Sequence, residues 1–544
     1  MPGRSPATAD GDPLGSATSR PDAGRPAHDD PPTGSATSRP DRRHPADYDP
    51  RPMAPHPLRR LAASGMAYQS ASLVAGVLAL VTLPLYSRYL TPDELGAAET
   101  LLTWIILASI LLRAGLQEAL MRHWFHDGDR ARRGRLARRV TGWVLLGSTV
   151  VAVLFLLLAE PLSHVLLGES LPGPIRATAL GIWAFTNLEV QNALLRAQEA
   201  RRRYLTAALC NVGLTVATTI VLVVALEQGA SGYLVGNYAA SSVVLAGLWW
   251  SQRALLRPRP AGGSDAAADG DDLRSLLRFG LPTVPPEAAV FALNIVDRQW
   301  LVHTSGLDAN GVYSAAAKLA TLVIVVARAF QAAWPPLAYD LSDEEAPRVY
   351  ANVVRAYVLV LGWMVVGLVL LRFQVTDLLL GPDFAAAAGA LPWLALGWAL
   401  WGLTWVFTTI AGRHHVTGRT LPAALLGLAV NVAALALLVP SLEATGAAIA
   451  LVAAYVVALT VAHLRTRRLM HVPFDWARIA AAVVVLTAVA VGVDAVAQPD
   501  GPGGIALRLA GCAVVPPLLV LVGGVRPSEV AVVRRAVAAR LPGR

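Results

Sequence analysis

From about residue 61 the chain is a succession of long apolar runs separated by short polar connections. A helix needs roughly 20 apolar residues to cross the hydrocarbon of a bilayer. Runs of that kind occur near 62–87, 97–121, 140–160, 176–198, 204–226 and 232–252. A polar, glycine-rich linker, Pro258 to Asp272, interrupts them. A second set follows near 276–302, 310–334, 349–371, 386–411, 420–440 and 445–464, and two further runs near 478–497 and 504–524 complete the series. Lipid offers no partner to bare backbone N–H and C=O groups, so each run is predicted to be a helix. The pattern predicts an all-α integral membrane protein of about fourteen transmembrane helices, arranged as two six-helix lobes plus two C-terminal helices. The boundaries that follow are a cytoplasmic tail at 1–57, a first lobe at 58–257, the linker at 258–273, a second lobe at 274–470, the last two helices at 471–525 and a C-terminal tail at 526–544.

The two tails read differently from the spans. Residues 1–57 are rich in Pro, Arg, Asp, Ser and Gly, and Gly15-Ser-Ala-Thr-Ser-Arg-Pro-Asp22 recurs as Gly34-Ser-Ala-Thr-Ser-Arg-Pro-Asp41. Such a low-complexity segment is predicted to be disordered. The first apolar run is long enough to span and has no small-residue cleavage site behind a short core, so it is read as a span and not as a signal peptide. At the other end Arg534, Arg535 and Arg540 alternate with apolar residues. That pattern suits a short amphipathic helix on anionic lipid, or a solvated tail.

Composition agrees with lipid as the main solvent: 55% of the 544 residues are hydrophobic and 15% charged, with a mean hydropathy of +0.50, too apolar for one soluble core. The net charge of +9 comes almost wholly from arginine, the single lysine being Lys318. A basic balance raises nucleic acid or anionic lipid as partners, and placement decides between them. The arginines gather in short connections, leaving no long soluble basic face for nucleic acid. Cys210 and Cys512 lie far apart inside apolar segments and form neither a disulfide framework nor a metal cluster.

Alternate connections are arginine-rich: Arg122 to Arg139, with seven arginines, then Arg201 to Arg203, Arg253 to Arg278, Arg413 to Arg419, and Arg465 to Arg478. The positive-inside rule assigns these to the cytoplasm. The intervening connections hold mainly acids, among them Asp93, Glu160, Glu227, Asp308, Asp377 and Glu443, and are assigned to the outside. The acidic connection Asp340 to Arg348 is the exception, and acids hardly influence topology. Both termini are expected inside.

The second and eighth spans match at an offset of 215, Gly96 pairing with Gly311 and Arg113 with Arg328. Leu162-Ser-His-Val-Leu-Leu-Gly168 parallels Val375-Thr-Asp-Leu-Leu-Leu-Gly381, and Gly229, Leu234 and Tyr238 parallel Gly446, Leu451 and Tyr455. Equivalent helices point the same way, so the two lobes are expected to be related by a pseudo-two-fold axis along the membrane normal, with a cleft between them.

Leu83-Pro-Leu-Tyr-Ser-Arg-Tyr-Leu-Thr-Pro-Asp-Glu-Leu-Gly96 resembles the first-loop signature of bacterial polysaccharide flippases. Phe279-Gly-Leu-Pro-Thr-Val-Pro, Asn294-Ile-Val-Asp-Arg298, Gly311-Val-Tyr-Ser and Phe330-Gln-Ala-Ala-Trp-Pro-Pro336 resemble the start of that family's second lobe, in order and spacing. The family belongs to the superfamily of multidrug, oligosaccharidyl-lipid and polysaccharide exporters. The resemblance implies alternating access to a polyprenyl-diphosphate-linked oligosaccharide in the bacterial cytoplasmic membrane.

Charge at bilayer depth costs roughly 3 kcal/mol or more by insertion scales, so buried ionisable groups are functional candidates. Glu99, Thr103 and Arg113 form one stripe of the second span, and Ser314, Lys318 and Arg328 the matching stripe of the eighth. Lys318 lies roughly 10 Å along the helix from Gly311. Arg88, Arg113, Arg298, Lys318 and Arg328 are the candidates for a cationic cleft that takes a diphosphate headgroup, since arginine binds phosphate in bidentate fashion. Arg88, Arg113 and Arg328 also lie where snorkelling explains them, as Arg372 does. Glu99, Glu189, Glu287 and Asp297 are the candidates for coupling to a proton or sodium gradient, or for ion pairing; Glu99 with Lys318 is one such pair. Pro282, Pro285 and Pro286 are expected to kink the seventh span beside Glu287. Asn187, Gln191 and Asn294, with Asn192, bind sugar hydroxyls or make interhelical hydrogen bonds.

The expected function is therefore a flippase for lipid-linked oligosaccharide in cell-surface polysaccharide synthesis, needing no cofactor and driven by a proton or sodium gradient or the membrane potential. Its expected partners are the lipid-linked saccharide, membrane lipids, and the polymerase and glycosyltransferases of the same process. A multidrug exporter of the same superfamily is the nearest alternative, although a cationic drug calls for an acidic cleft. A membrane polymerase or ligase is the alternative from another class; it needs catalytic groups on a sizeable outer loop, and the loops here are short. No nucleotide-binding loop, zinc-ligand set or nucleophile triad occurs, so no covalent chemistry is expected.

Overall fold

The computed structural model describes residues 81–125, 130–257, 273–414, 416, 420–497 and 501–522. The tails at 1–57 and 526–544, most of the first predicted span and the linker at 258–272 lie outside these residues, as do the side chains of Arg130, Pro286, Ala289, Val290 and Asn294. The described chain is helical, without strands. In order it runs α1 (Pro92–Arg113), α2 (Leu116–Trp124), α3 (Arg130–Leu157), α4 (Ala159–Leu167), α5 (Pro172–Ala197), α6 (Arg201–Ile220), α7 (Gly229–Ser251), α8 (Arg253–Leu256), α9 (Leu273–Gly280), α10 (Val284–Ser305), α11 (Leu307–Leu319), α12 (Thr321–Asp340), α13 (Ala346–Leu370), α14 (Arg372–Leu379), α15 (Ala387–Arg413), α16 (Leu421–Thr466), α17 (Trp476–Val496) and α18 (Pro502–Leu521). Among the described residues nine helices are long and apolar enough to cross a membrane. Leu146, Leu157, Leu437, Val484 and Val491 stand exposed on these helices, a distribution that only lipid makes inexpensive. The protein is a multi-pass membrane protein.

Every predicted span after the first coincides with one helix or with consecutive ones, and the departures have local causes. The second span is divided: Ala114 (φ 49°) and Gly115 (φ 67°) take left-handed backbone between α1 and α2. The eighth span divides at Ala320, between α11 and α12. In the seventh, a 3₁₀ turn at Leu281–Thr283 joins α9 to α10, and Pro285 lies in the first turn of α10, where a missing N–H leaves no intrahelical bond unmade. Helix α16 has 46 residues, about 69 Å if straight, far beyond a bilayer. It breaks at Glu443 (φ 45°, ψ −125°) into two arms, and a Cβ on Gly446 would stand 2.5 Å from the Leu438 carbonyl oxygen, so the arms meet backbone to backbone.

The duplication is visible as reciprocal contacts. A Cβ on Gly96 would lie 1.9 Å from the carbonyl oxygen of Leu307, and one on Gly311 1.9 Å from that of Pro92. Each glycine thus meets the residue 215 positions removed from its own counterpart's neighbour, as a two-fold relation demands. The second pair is looser: Gly381 packs on Ser87 and Gly168 faces Val302. Asn310 adds cross-lobe hydrogen bonds to the Gly96 carbonyl (2.9 Å) and to Thr100 Oγ1 (2.8 Å). All these contacts lie at one end of the bundle, the Pro92 end.

The opposite, Arg113 end holds a separate apolar cluster, in which Leu276 of α9 packs with Leu116, Leu120, Leu136 and Leu194 of the first half. Here Arg413 donates to the carbonyls of Ala338 and Leu341 and pairs with Asp343 at 2.7 Å. The acidic connection and an arginine-rich one therefore sit at the same end. The last two helices rest on α13 through Leu359, Val366, Leu370, Leu486 and Val515.

Candidate functional site

One turn from the glycine contact, the facing sides of the two halves turn polar. Glu99 of α1 is 6% exposed. Its Oε1 stands 2.7 Å from Lys318 Nζ on α11, and its Oε2 3.1 Å from Arg298 Nη1 on α10. Arg298 Nη1 also donates to the Glu99 carbonyl and to Thr103 Oγ1, each at 2.8 Å. Lys318 Nζ donates to the Tyr233 hydroxyl of α7 at 3.2 Å, and the Tyr233 ring meets Tyr86 edge-on at 5.4 Å. Two cations share one carboxylate, so the cluster carries a net positive charge. Taking such ions out of water costs several kcal/mol each, and only multiple short partners offset it. The expected ion pair of Glu99 with Lys318 is present.

The remaining sequence candidates are distributed elsewhere. Arg113 is buried, donates to the Ser109 carbonyl at 3.1 Å and lies 3.4 Å from Glu287 of the second half. This weaker bridge joins the halves at the Arg113 end. Arg328 and Arg88 are exposed and, among the described residues, their guanidinium groups have no partner. Asp297 is 1% exposed and accepts from Tyr313 (3.0 Å) and Asn431 (2.6 Å). Glu189 accepts from Asn192 at 3.4 Å, on α5, apart from the cluster. Asn187 donates to Ser148 and to the Trp183 carbonyl, both at 2.8 Å. Gln191 accepts from Gln252 at 3.0 Å. Asn187 and Gln191 therefore join helices of the first half.

Three features escape a reading of the sequence. Tyr233 and Tyr86 look like core aromatics until Lys318 is seen beside them. Asn431, which fixes Asp297, sits in an apolar run more than a hundred residues away. The third is a partly buried triad: Arg372 makes a bidentate pair with Asp494 (3.1 and 2.8 Å), and Arg508, alone of the three fully buried, shares that carboxylate at 3.0 Å. Arg372 is thus engaged, where snorkelling alone was expected.

The profile of the family described as polysaccharide biosynthesis protein matches residues 61–341. No curated protein sequence matches. Among solved structures, the lipid II flippase MurJ in an inward closed conformation superposes with a TM-score of 0.66 at 11% identity, over 84% of this chain and 98% of that one. An inward-facing multidrug resistance MATE family transporter of the MOP superfamily superposes with a TM-score of 0.61 at 16% identity, over 72% of this chain and 95% of that one. The fold is that of these flippases and transporters, and the profile covers more than half of the sequence. The chain belongs to the polysaccharide biosynthesis protein family.

Proposed function

We propose that the protein moves a polyprenyl-diphosphate-linked oligosaccharide from the inner to the outer leaflet of the cytoplasmic membrane by alternating access, for cell-surface polysaccharide synthesis. The observation that carries this reading is the net positive Lys318–Glu99–Arg298 cluster at the interface of two duplicated halves. In the closed cluster Glu99 occupies the place of an anion. A diphosphate brings more charge and more acceptor oxygens than one carboxylate and competes for both cations. A cationic drug would be repelled by the same surplus, which argues against the multidrug alternative.

Loop charge supports a topology in which the Pro92 end faces outward and the Arg113 end the cytoplasm. The Gly96 and Gly311 contact then closes the outer side, and Arg113 with Glu287 lies at the inner entrance. When the diphosphate displaces Glu99, the freed carboxylate becomes available to a proton, one route by which a gradient is coupled to rocking. Asp297, held only by neutral donors, is the second candidate for a proton or sodium ion. Glycosyltransferases would supply the substrate and a polymerase would receive it.

The test is reconstitution in liposomes with a fluorescent lipid-diphosphate saccharide, following its loss from one leaflet with and without proton, sodium or potential gradients. Lys318→Ala and Arg298→Ala are expected to abolish transport while the protein still inserts. Wild-type rates in both variants would refute the assigned site.

A further inference from the structure

The cluster opens on its Tyr233 side into a half-open chamber of about 290 Å³ lined almost wholly by the first half. Asn211 and Thr215 of α6 line it, with Tyr233, Asn237, Tyr238 and Ser241 of α7, and Lys318 stands at its edge. Lys318 is the one charged group among the described lining residues, and none is acidic. The Asn211 Oδ1 atom is buried and makes no hydrogen bond. A buried amide oxygen with no partner in the chain is free to accept from a hydroxyl of an occupant. Among the described residues the Tyr238 hydroxyl also has no hydrogen-bond partner, while its ring packs against Phe185 at 6.4 Å.

The structure assigns this chamber, we infer, as a subsite for the first sugar residue of the substrate, the one joined directly to the diphosphate; the inference rests on the function proposed above. Neutral amides and hydroxyls set among aromatic faces match the alternating O–H and C–H surfaces of a pyranose. A metal ion or a cationic solute would need a carboxylate, and meets a lysine instead. The volume sits at the lower edge of the roughly 300–1,000 Å³ of small-molecule sites, room for one sugar and not for a chain of them. Position agrees with chemistry. Lys318 contacts both Glu99 and Tyr233, so a diphosphate replacing Glu99 would place its glycosidic oxygen at the chamber mouth.

The experiment measures binding to the full chain in nanodiscs. The probes are farnesyl diphosphate and farnesyl diphosphates carrying glucose, galactose, N-acetylglucosamine or rhamnose. At least one sugar-bearing probe is expected to bind about tenfold more tightly than the bare diphosphate. Asn211→Leu and Asn237→Leu should reduce that ratio to near one and leave bare-diphosphate affinity unchanged. Tyr238→Phe, which preserves shape, should lower it severalfold. If no sugar-bearing probe exceeds the bare diphosphate, or if the variants weaken both equally, the subsite does not exist. If farnesyl diphosphate itself fails to bind the wild type, the proposed function fails first and takes the subsite with it.

Discussion

Glu99 holds two cations, and its removal has a sign that can be predicted. Without Glu99, Lys318 and Arg298 remain partly buried and lose the carboxylate they share, so Glu99→Gln should cost about 3 kcal/mol of stability. Lys318→Met leaves Glu99 with Arg298 alone and should also destabilise. The double variant should lose less than the sum, because the unpaired charge created by one change is removed by the other. Thermal unfolding in a fixed detergent measures all three; additive losses would mean the pair is not coupled. At this scale the sequence was informative where charge stood against an apolar background. Lys318, Glu99 and Arg298 are legible because each is costly in lipid. Tyr233, Asn431 and Arg508 were not: the first looks like a core aromatic, the second is a lone amide whose partner lies on a distant helix, and the last follows a predicted outer connection, where an arginine looks solvated. Asn187 and Gln191 show the converse, polar groups that draw notice and turn out to join helices.

At the scale of elements, the glycines that face each other across the halves set how closely α1 and α11 approach. Gly96→Val or Gly311→Val puts side-chain carbons where a carbonyl oxygen already stands 1.9 Å away, so the helices must part. Both variants should fail to close the Pro92 end, seen as increased labelling of a cysteine placed at Thr100 by a water-soluble maleimide. Unchanged labelling would contradict the contact. The α17–α18 pair depends on the Arg372–Asp494–Arg508 triad. Asp494→Asn leaves two guanidinium groups, one almost fully buried, sharing a neutral amide, and should cost about 3 kcal/mol. Limited proteolysis between α16 and α17, faster in the variant, would report the loosening. Helix positions were readable from run length alone. The breaks at Ala114 and Ala320 were not, because neither is marked by proline; they follow from packing between the halves. The one at Pro282 and Pro285 was readable because proline is best tolerated in the first turn of a helix and so marks a new start.

For the whole molecule, the duplicated sequence already implied a two-fold architecture with equivalent helices pointing the same way, and the reciprocal contacts bear it out. The positions of the outer and inner faces rest on loop charge. A cysteine pair at Thr100 and Asn310, whose side chains already meet across the halves at 2.8 Å, in a background with Cys210→Ser and Cys512→Ser, should form a disulfide on oxidation and stop transport, with recovery after reduction. Transport that persists while cross-linked would show that the Pro92 end does not need to open. Sequence offered the Glu99–Lys318 pair but neither Arg298's share of that carboxylate nor the Arg113–Glu287 bridge, since pairing depends on the rotation of each helix about its axis, and apolar neighbours leave that rotation undetermined.

The reciprocal seal also constrains inheritance. Gly96 guards the start of α11 and Gly311 the start of α1, so a bulky residue arising in either copy injures the opposite copy's backbone.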